Sequence, residues 1–397
     1  MVLVTPASDQ VTNGSPSISV TTAAHDLGST SRADDAPDDT PRFAGRLPMA
    51  PRISGGDTLE IMTGWLELAF HRLGIPSRFD SCVRSKLEAH DSLPNLGTPL
   101  VPPRFPPAAQ CREALATYYG TVHVLYPILD RPALDRTCED VLSSSSAGVP
   151  VVDADRLPGF LLFCLAVVLG SAGNPAIEAS ELTTDCIAFC ETLLGHVLGW
   201  GTVDAVCIIF LLALALRWRE KIASAWPLSG VCVSLAQVLG LDRQKRHGRR
   251  SPEIVDEGVD QERRRVWWCV YSFEKLFAFE LGRPSVISDL DHDQPEPTRV
   301  IEDSPDFFHI VISLARTLSE VSKRSIAART KEELAGSGRE GLENAIRFKV
   351  ATTGELVLLL MRWAEGLPKN LNPTSDLLCE PGEFPLAAFI SVQYHSA

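Results

Sequence analysis

The sequence lacks the motifs that most quickly assign an enzyme or a metal-binding protein. Its ten cysteines form no Cys-x-x-Cys pair, and its nine histidines form no His-Glu-x-x-His motif, so the usual patterns of zinc sites are missing. There is also no Gly-x-Ser-x-Gly elbow and no P-loop. Nothing in the sequence supports catalysis, and we predict a protein that is not an enzyme.

Long apolar runs and the alternation typical of strands are also scarce. The longest apolar stretches, around 157–169 and 206–216, fall short of the roughly 18–20 residues that cross a bilayer. The N-terminus has no basic segment followed by an apolar run, so no signal peptide and no membrane partner are predicted. Both stretches are apolar all round and predict helices surrounded by other helices, with reduced cysteines in the core of an intracellular protein.

The charge balance is acidic, with 37 Lys and Arg against 50 Asp and Glu and a formal net charge of −13. Such a chain has no global attraction for a phosphate backbone. One loop is basic, and two interpretations of it stay open. It is either a nuclear-import patch or a solvated loop balanced by nearby carboxylates. Its basic residues are Arg243, Lys245, Arg246, Arg249 and Arg250.

Composition divides the chain into three parts. Residues 1–54 are acidic and rich in Ser, Thr and Pro, and we predict a disordered tail. Residues 55–107 predict an amphipathic helix that ends at Gly74, followed by a proline-rich linker. Residues 108–397 predict a large all-α domain. The helical segments are expected near 108–125, 132–145, 157–170, 178–199, 202–221, 226–240, 260–282, 304–330 and 340–365.

Two weaker motifs are given structural interpretations. The run from Gly336 to Gly341 matches G-x-G-x-x-G, but no βαβ unit surrounds it, which favours a flexible break between helices. The acidic stretch Asp289–Asp293 resembles the start of a calcium loop, but Gln294 and Val300 stand where Gly and Glu are required. A solvated acidic loop is the better interpretation.

A second basic group, Arg263–Arg265, begins the segment predicted to be a helix near 260–282. Val266, Val270 and Phe277 follow on one apolar stripe. Positive charge at the start of a helix opposes the helix dipole, so we expect carboxylates nearby to balance it. We therefore predict a structural helix whose arginines form buried or partly buried ion pairs and do not grip phosphate.

The order of motifs around this helix resembles a known family. Arg263–Trp268 precede an aromatic and aliphatic run, then Gly282-Arg283-Pro284 and the acidic stretch Asp289–Asp293. This order is similar to the central signature of the fungal-specific transcription factor domain, the middle homology region of zinc binuclear cluster transcription factors. Tyr118–Pro132 and the Trp363–Pro368 segment resemble two further elements of that domain.

The resemblance implies an all-α regulatory domain with a structural role for its signature residues. These are Arg263, Arg264, Arg265, Trp267, Trp268, Gly282, Arg283 and Pro284. Family members also carry an N-terminal six-cysteine zinc cluster, whereas this sequence has no cysteine before Cys82. The chain also ends where the family domain continues, which indicates either a truncated gene model or a shortened relative.

We therefore expect a nuclear transcription regulator that consists of the regulatory domain alone and controls a metabolic or secondary-metabolite gene set. It would act through protein partners, a second copy of itself or a small-molecule effector. DNA would be reached only through a partner or a missing module, and no cofactor is expected unless that module brings zinc. The alternative is an enzyme or ligand-binding protein with a borrowed all-α regulatory fold, which would hold a pocket between its long apolar helices.

Overall fold

The computed structural model describes residues 102–144, 156–171, 181–244, 257–298, 306–333, 339–374 and 382–397, with residues 66, 69, 70, 72–74 and 379. Throughout these ranges the regular structure is helical and no strand is present, which confirms the all-α prediction. The predicted tail 1–54, most of the basic loop and the glycine-rich break at 336–338 lie outside the described residues.

In chain order the helices are α1 (Ala108–Gly120), α2 (Val122–Leu125), α3 (Arg131–Ser144), α4 (Leu157–Gly170), α5 (Leu182–Trp200), α6 (Val203–Trp218), α7 (Ile222–Val238), α8 (Glu257–Glu280), α9 (Phe307–Glu333), α10 (Arg339–Glu365) and α11 (Phe384–His395). The connections between the helices vary in length, and the longest, residues 281–306, joins α8 to α9. A short 3-10 helix covers Lys369–Leu371.

Most boundaries lie within a few residues of the predicted ones, and the differences have physical causes. The predicted segment 108–125 is two helices, because the backbone at Thr121 leaves the helical region. Helix α7 begins at Ile222, four residues before the predicted start, because Pro227 is accommodated inside the helix. Helix α11 was not among the predicted segments.

Helices α4 and α6 form the centre of the fold. Every residue from Ala205 to Leu216 in α6 is buried, and α4 is buried from Phe160 to Gly170 except at the half-buried Leu162. Helix α4 packs against α1, α3, α5 and α6, and α6 packs against α5, α7 and α8. The apolar stretches are therefore enclosed by other helices, as predicted, and none of the described helices has the length and apolar content that a membrane span requires.

Close approach of α1 and α4 depends on one glycine. A Cβ atom built on Gly170 would lie 1.9 Å from the carbonyl oxygen of Ala114, so no side chain fits at this crossing. In the segment before α1, Pro102 and Pro103 are buried, and the Phe105 ring lies 5.0 Å from the Phe163 ring of α4. The end of the predicted linker is thus part of the packed structure.

Helix α8 is the third buried helix. It packs against α6, α7 and α9, and it is buried without interruption from Val266 to Ala278. Helix α9 in turn contacts α2 and α10. Helix α10 lies at the outside of the fold, and its side chains Leu342 and Val350 are 62% and 68% exposed.

Candidate functional site at the signature helix

The end of α8 explains the Gly-Arg-Pro element. Gly282 has a φ of 61°, a left-handed conformation that glycine adopts without steric cost. The backbone N–H of Arg283 donates to the carbonyl of Ala278 at 2.9 Å, and that of Gly282 donates to Phe279 at 3.0 Å. This pattern closes the helix. Pro284 follows, and the chain turns back along α8 as residues 283–298, which we call the signature loop.

Two buried charged residues of α8 hold the start of the signature loop. Glu274 accepts hydrogen bonds from the Ser285 hydroxyl and the Val286 backbone N–H, each at 2.7 Å. Lys275 donates from Nζ to the carbonyl oxygen of Ile287 at 2.6 Å. Both side chains belong to the fully helical, otherwise apolar part of α8, and their charges are compensated by loop atoms.

Asp289 is the centre of the next group of contacts. Its carboxylate accepts a hydrogen bond from the Tyr271 hydroxyl at 2.8 Å and pairs with Lys275 at 3.2 Å. On the other side it accepts from Ser319 at 3.1 Å and pairs with Lys323, both on α9. Burial favours a higher pKa for Asp289, but the hydrogen bonds from Lys323 and Tyr271 and the charge of Lys275 outweigh it, and the pKa lies well below its usual value.

The interpretation of 289–293 as a solvated loop is therefore wrong for Asp289, which joins α8 to α9. It also fails for His292, whose ring lies 5.4–5.6 Å from the rings of Trp267, Trp268 and Tyr271. Burial is the main cause of a lowered pKa for His292. Leu290 and Asp291 between them are exposed, so the stretch is partly packed and partly solvated, and its sequence alone does not show which residues are packed.

Trp268 fixes the second half of the signature loop. Its side chain is fully buried, and its indole N–H donates to the carbonyl oxygen of Pro295 at 2.8 Å. The Arg316 guanidinium of α9 lies 4.6 Å above the Trp268 ring and pairs with Glu296. Further along, the His309 ring contacts the carbonyl oxygen of Pro297 at 2.9 Å. The loop is thus held by α8 on one side and α9 on the other.

The three arginines of the signature have three different environments. Arg263 is 8% exposed and donates to the carbonyl oxygens of Leu239 and Gly240, at 3.2 and 2.9 Å, where α7 ends. Arg264 pairs with Asp260 one turn earlier on α8. Arg265 lines a cavity. Because α8 begins at Glu257, the arginines lie in its second and third turns, and Arg263 complements the dipole of α7.

The cavity beside Arg265 has a volume of about 430 Å³. We call it the carboxylate cavity, because Asp130, Asp204 and Glu262 all line it. Its apolar wall comes from Ile128, Leu134, Leu162 and Cys207. Burial raises the pKa of the Asp204 and Glu262 carboxyls, and Asp204 and Asp130 raise that of Glu262 further against the opposing charge of Arg265.

The carboxylate cavity is not the pocket expected for the alternative function, an enzyme or ligand-binding protein with a pocket between its long apolar helices. The long apolar helices α4 and α6 are packed along their buried lengths, and the carboxylate cavity lies beside their first turns. Its polar groups come from three separate elements, namely the residue before α3, the first turn of α6 and the start of α8. The sequence patterns point to Glu262 and Asp260 only as carboxylates that balance the arginines, and they do not point to Asp204, Glu274 or Lys275. The one available signal was the pair Glu274-Lys275 inside an otherwise apolar run.

The opening motif contacts the same region. The His123 ring lies 5.8 Å from Tyr118 and 5.6 Å from Tyr119, and burial together with the charges of Arg265 and Arg131 lowers its pKa to about 4. At the other motif, the Trp363 indole N–H donates to the Ser313 hydroxyl at 2.9 Å. The two motifs therefore also make internal contacts.

Most of the basic loop lies outside the described residues. Of its five basic residues, only Arg243 is described, and its guanidinium lies 3.3 Å from the Asp242 carboxylate.

Metal sites were predicted to be absent from this sequence. Within the described part of the chain, no group of three or more His, Cys, Asp or Glu side chains is arranged to hold a metal ion. These residues therefore do not form a zinc cluster of the kind the family carries.

In the described residues, the contacts define an all-α fold with three buried helices, α4, α6 and α8, of which α8 carries both aromatic and charged residues. Residues 115–314 match the model of the fungal specific transcription factor domain, and this match covers half of the chain. The chain therefore belongs to that family, as the signature predicted.

Curated relatives agree with this assignment. The chain is 27% identical over 234 residues to the negative regulator of pleiotropic drug resistance STB5 of Candida glabrata, a match that covers 55% of this chain and 23% of the relative. It is 22% identical over 321 residues to the transcription factor FBD3 of Fusarium pseudograminearum, covering 74% and 39%. It is 32% identical over 115 residues to a positive regulator of purine utilization from Emericella nidulans, covering 23% and 11%.

The chain thus matches less than half of the length of each of these relatives. No solved structure matches it.

Proposed function

We propose that these 397 residues are the regulatory part of a fungal transcription regulator and that they work by binding, not by catalysis. Their partners are other proteins, a second copy of the chain or a small effector molecule. DNA is reached through a partner or a separate module, and not through the residues of this domain.

The orientation of the signature arginines carries the proposal. Arg263 is bound to the end of α7, Arg264 is paired with Asp260, and Arg265 lines the carboxylate cavity. A grip on a phosphate backbone requires basic side chains that reach into solvent. The acidic excess of the whole chain, −13, disfavours nucleic acid in the same way.

A reporter assay tests the regulatory role directly. The full chain is fused to an unrelated DNA-binding domain, and transcription of a reporter with the matching DNA sites is measured. We expect the fusion to raise or lower transcription compared with the DNA-binding domain alone. Asp289→Asn should remove the effect, whereas Glu139→Gln, in an exposed ion pair, should retain it. A fusion that leaves transcription unchanged would contradict the proposal.

Direct DNA binding is a separate measurement. The purified chain is titrated into fluorescent duplex DNA in a buffer of physiological ionic strength, where salt-dependent contacts are already weakened. We expect no binding tighter than the micromolar range typical of non-specific association. Sequence-specific binding in the nanomolar range would show that this chain reads DNA by itself.

Nuclear localisation is also part of the proposal. The basic residues Arg243, Lys245, Arg246, Arg249 and Arg250 are the proposed import patch. A fluorescent fusion of the full chain should accumulate in the nucleus, and replacing these five residues with alanine should abolish that accumulation. Replacing Arg347 and Lys349 of α10 with alanine is the control and should leave nuclear accumulation unchanged. If the substitutions in the basic loop also leave it unchanged, the basic loop is a solvated loop and not an import patch.

The regulated genes are proposed at the level of a metabolic or secondary-metabolite gene set. The names of the relatives support this level only, since one regulates drug resistance and another purine utilization. Deleting the gene and comparing transcripts should change a co-regulated metabolic set; a change confined to genes outside metabolism would contradict this part of the proposal.

A further inference from the structure

Helix α10 has two apolar sides, and only one of them is packed. On the packed side the Trp363 indole donates to Ser313 of α9, and the residues that precede Trp363 at helical spacing are half-buried, namely Phe348, Thr352, Leu356 and Leu359. The other side carries five apolar side chains that are 43–68% exposed, with one exposed threonine among them. We call this set the α10 stripe, and its members are Leu342, Ile346, Val350, Thr353, Val357 and Met361.

The α10 stripe is a continuous surface and not a scatter of single exposed residues. Its members follow one another at intervals of four, four, three, four and four residues, so they share one side of the helix over about 30 Å. None of them is charged, and no residue from 340 to 359 is buried. The solvent side of a helix normally carries polar residues, and a contiguous apolar patch marks a contact site. The stripe is therefore a surface for a partner to cover.

The spacing of the stripe points to a second copy of the chain as that partner. The intervals are the same when counted from either end, about a centre between residues 351 and 352. Two antiparallel α10 helices related by a two-fold axis at that centre match every member of the stripe with another member. The pairs are Leu342 with the partner's Met361, Ile346 with the partner's Val357 and Val350 with the partner's Thr353.

The exposed area of the stripe is enough for a weak dimer. At about 100 Å² of apolar surface for a fully exposed aliphatic side chain, the stripe of one copy offers about 300 Å². Homodimer interfaces are about 65% apolar, so two stripes correspond to a total interface of about 900 Å². That area lies close to the roughly 1,000 Å² at which specific interfaces begin. The net charge of −13 on each copy adds repulsion, so we expect a reversible dimer that salt favours.

We infer that two copies of this chain associate through the α10 stripe, with their α10 helices antiparallel about a two-fold axis. The apolar side chains meet along the helix, and the exposed Glu343, Arg347 and Lys349 border the contact as a charged rim. The inference rests on the proposed function, in which a second copy is one of the partners, and it names the surface and the orientation.

Analytical ultracentrifugation of the purified full chain tests the association. Between about 1 and 200 μM the chain should show a monomer–dimer equilibrium with a dissociation constant in the micromolar range. Val350→Lys and Val350→Glu should each raise that constant by about tenfold or more, because either charge would be buried at the centre of the contact. The matched control is Val238→Lys, at a similarly exposed valine on α7, and it should leave the constant unchanged.

Two results would overturn the inference. One is a chain that remains monomeric at about 200 μM, and the other is a dimer that both Val350 substitutions leave intact. Val350 is 68% exposed in the single chain, so neither substitution should unfold it, and circular dichroism checks this. Ile346→Lys is a second variant within the stripe and should weaken the dimer in the same direction.

Cross-linking tests the orientation. The variants Leu342→Cys and Met361→Cys are treated with a short bis-maleimide, separately and as a mixture, and the wild type measures the reaction of the native cysteines. An antiparallel contact should give a covalent dimer in the mixture only, because each position lies about 28 Å along the helix from its own counterpart in the partner. A covalent dimer of Leu342→Cys alone, above the wild-type level, would overturn the antiparallel arrangement.

The reporter fusion separates this inference from the proposed function. A fusion that regulates transcription although the purified chain is monomeric would refute the dimer and leave the regulatory role standing. A chain that dimerises through α10 but is silent as a fusion would refute the regulatory role and leave the dimer standing.

Discussion

Two acidic side chains of α8, the buried Glu274 and the half-buried Glu262, differ in their partners. In the later half, Glu274 and Lys275 are bound by the signature loop, and Asp289 joins the same group of contacts. In the earlier turns, Glu262 lies beside a cavity without a hydrogen bond or an ion pair in the described part of the chain, and the Arg265 Nε is likewise unpartnered. The helix is continuous between them.

The difference indicates which end is structural. A buried charge whose partners are all present stabilises one arrangement of the chain, and its removal leaves the partner unsatisfied. A half-buried charge without a protein partner lowers stability unless water or a ligand contacts it. Trp268, Gly282 and Pro284 of the signature lie where α8, the signature loop and α9 meet, which fits a role in holding these three parts together.

The largest effect is expected for Trp268 in the middle of α8. Trp268→Ala should lower the free energy of unfolding by about 3–5 kcal/mol, because it empties a fully buried site and leaves the Pro295 carbonyl without its donor. Urea denaturation measures it. The control Trp218→Ala, at a side chain that is 43% exposed, should cost less than about 1 kcal/mol. A loss under about 1 kcal/mol for Trp268→Ala would show that the contacts of Trp268 in the middle of α8 are not a structural centre.

The next effect is expected for Asp289. Asp289→Asn should cost about 3 kcal/mol, because it leaves Lys275, whose side chain is 1% exposed, without its counterion. The matched control is Glu139→Gln in the pair with Arg112, where both side chains are more than half exposed, and it should change stability by less than about 1 kcal/mol. Equal effects of the two substitutions would remove the distinction between the satisfied pair and an ordinary surface pair.

The contribution of Asp289 should also depend on pH. Its pKa is lower in the folded than in the unfolded chain, so its stabilisation is complete above the unfolded value of about 3.9 and is lost as the pH falls toward the folded value. The stability gap between the wild type and Asp289→Asn should therefore be constant above about pH 5 and should narrow below about pH 4. A gap that narrows between neutral pH and pH 5 would contradict this assignment.

The smallest effect, with the opposite sign, is expected at the cavity end. Glu262→Gln should raise the free energy of unfolding by about 0.5–1 kcal/mol at neutral pH, because it removes a charge that lacks a partner. Since the folded pKa of Glu262 is raised, the wild type gains stability as the pH falls through that value, and the gap should close. Glu191→Gln, at an exposed carboxylate on α5, should be neutral. A loss of more than about 1 kcal/mol for Glu262→Gln would show that its charge is structural.

Sequence patterns predict most of the helices and the family, but not the contacts at either end of α8. The apolar runs of α4 and α6 predict buried helices because a continuous apolar run is a local feature of the sequence. The path of the signature loop is set by contacts between residues far apart in sequence, so Asp289 could not be assigned to α8 and α9. The cavity combines Asp130, Asp204 and Glu262 from three elements, and no spacing pattern links them.

The start of α8 and the whole of α11 are helical although the sequence patterns did not predict them. Helix α8 begins at Glu257, before the predicted start near 260. Its first turn carries polar residues, so the apolar stripe that predicted the helix does not extend to it. Helix α11 is short and apolar on several sides, so it has no clear periodic stripe, and its buried residues Leu386 and Ile390 gain their role from packing.

The most direct test of the contrast is a carbon-13 NMR titration of the Asp and Glu side-chain carboxyls in the folded chain, with Asp289→Asn and Glu262→Gln used for assignment. We expect Asp289 to remain ionised down to the lowest pH at which the fold persists, and Glu262 to take up its proton above the usual glutamate value of about 4.3. If both carboxyls titrated at ordinary values, or in the reverse order, the two ends of α8 would not differ as described.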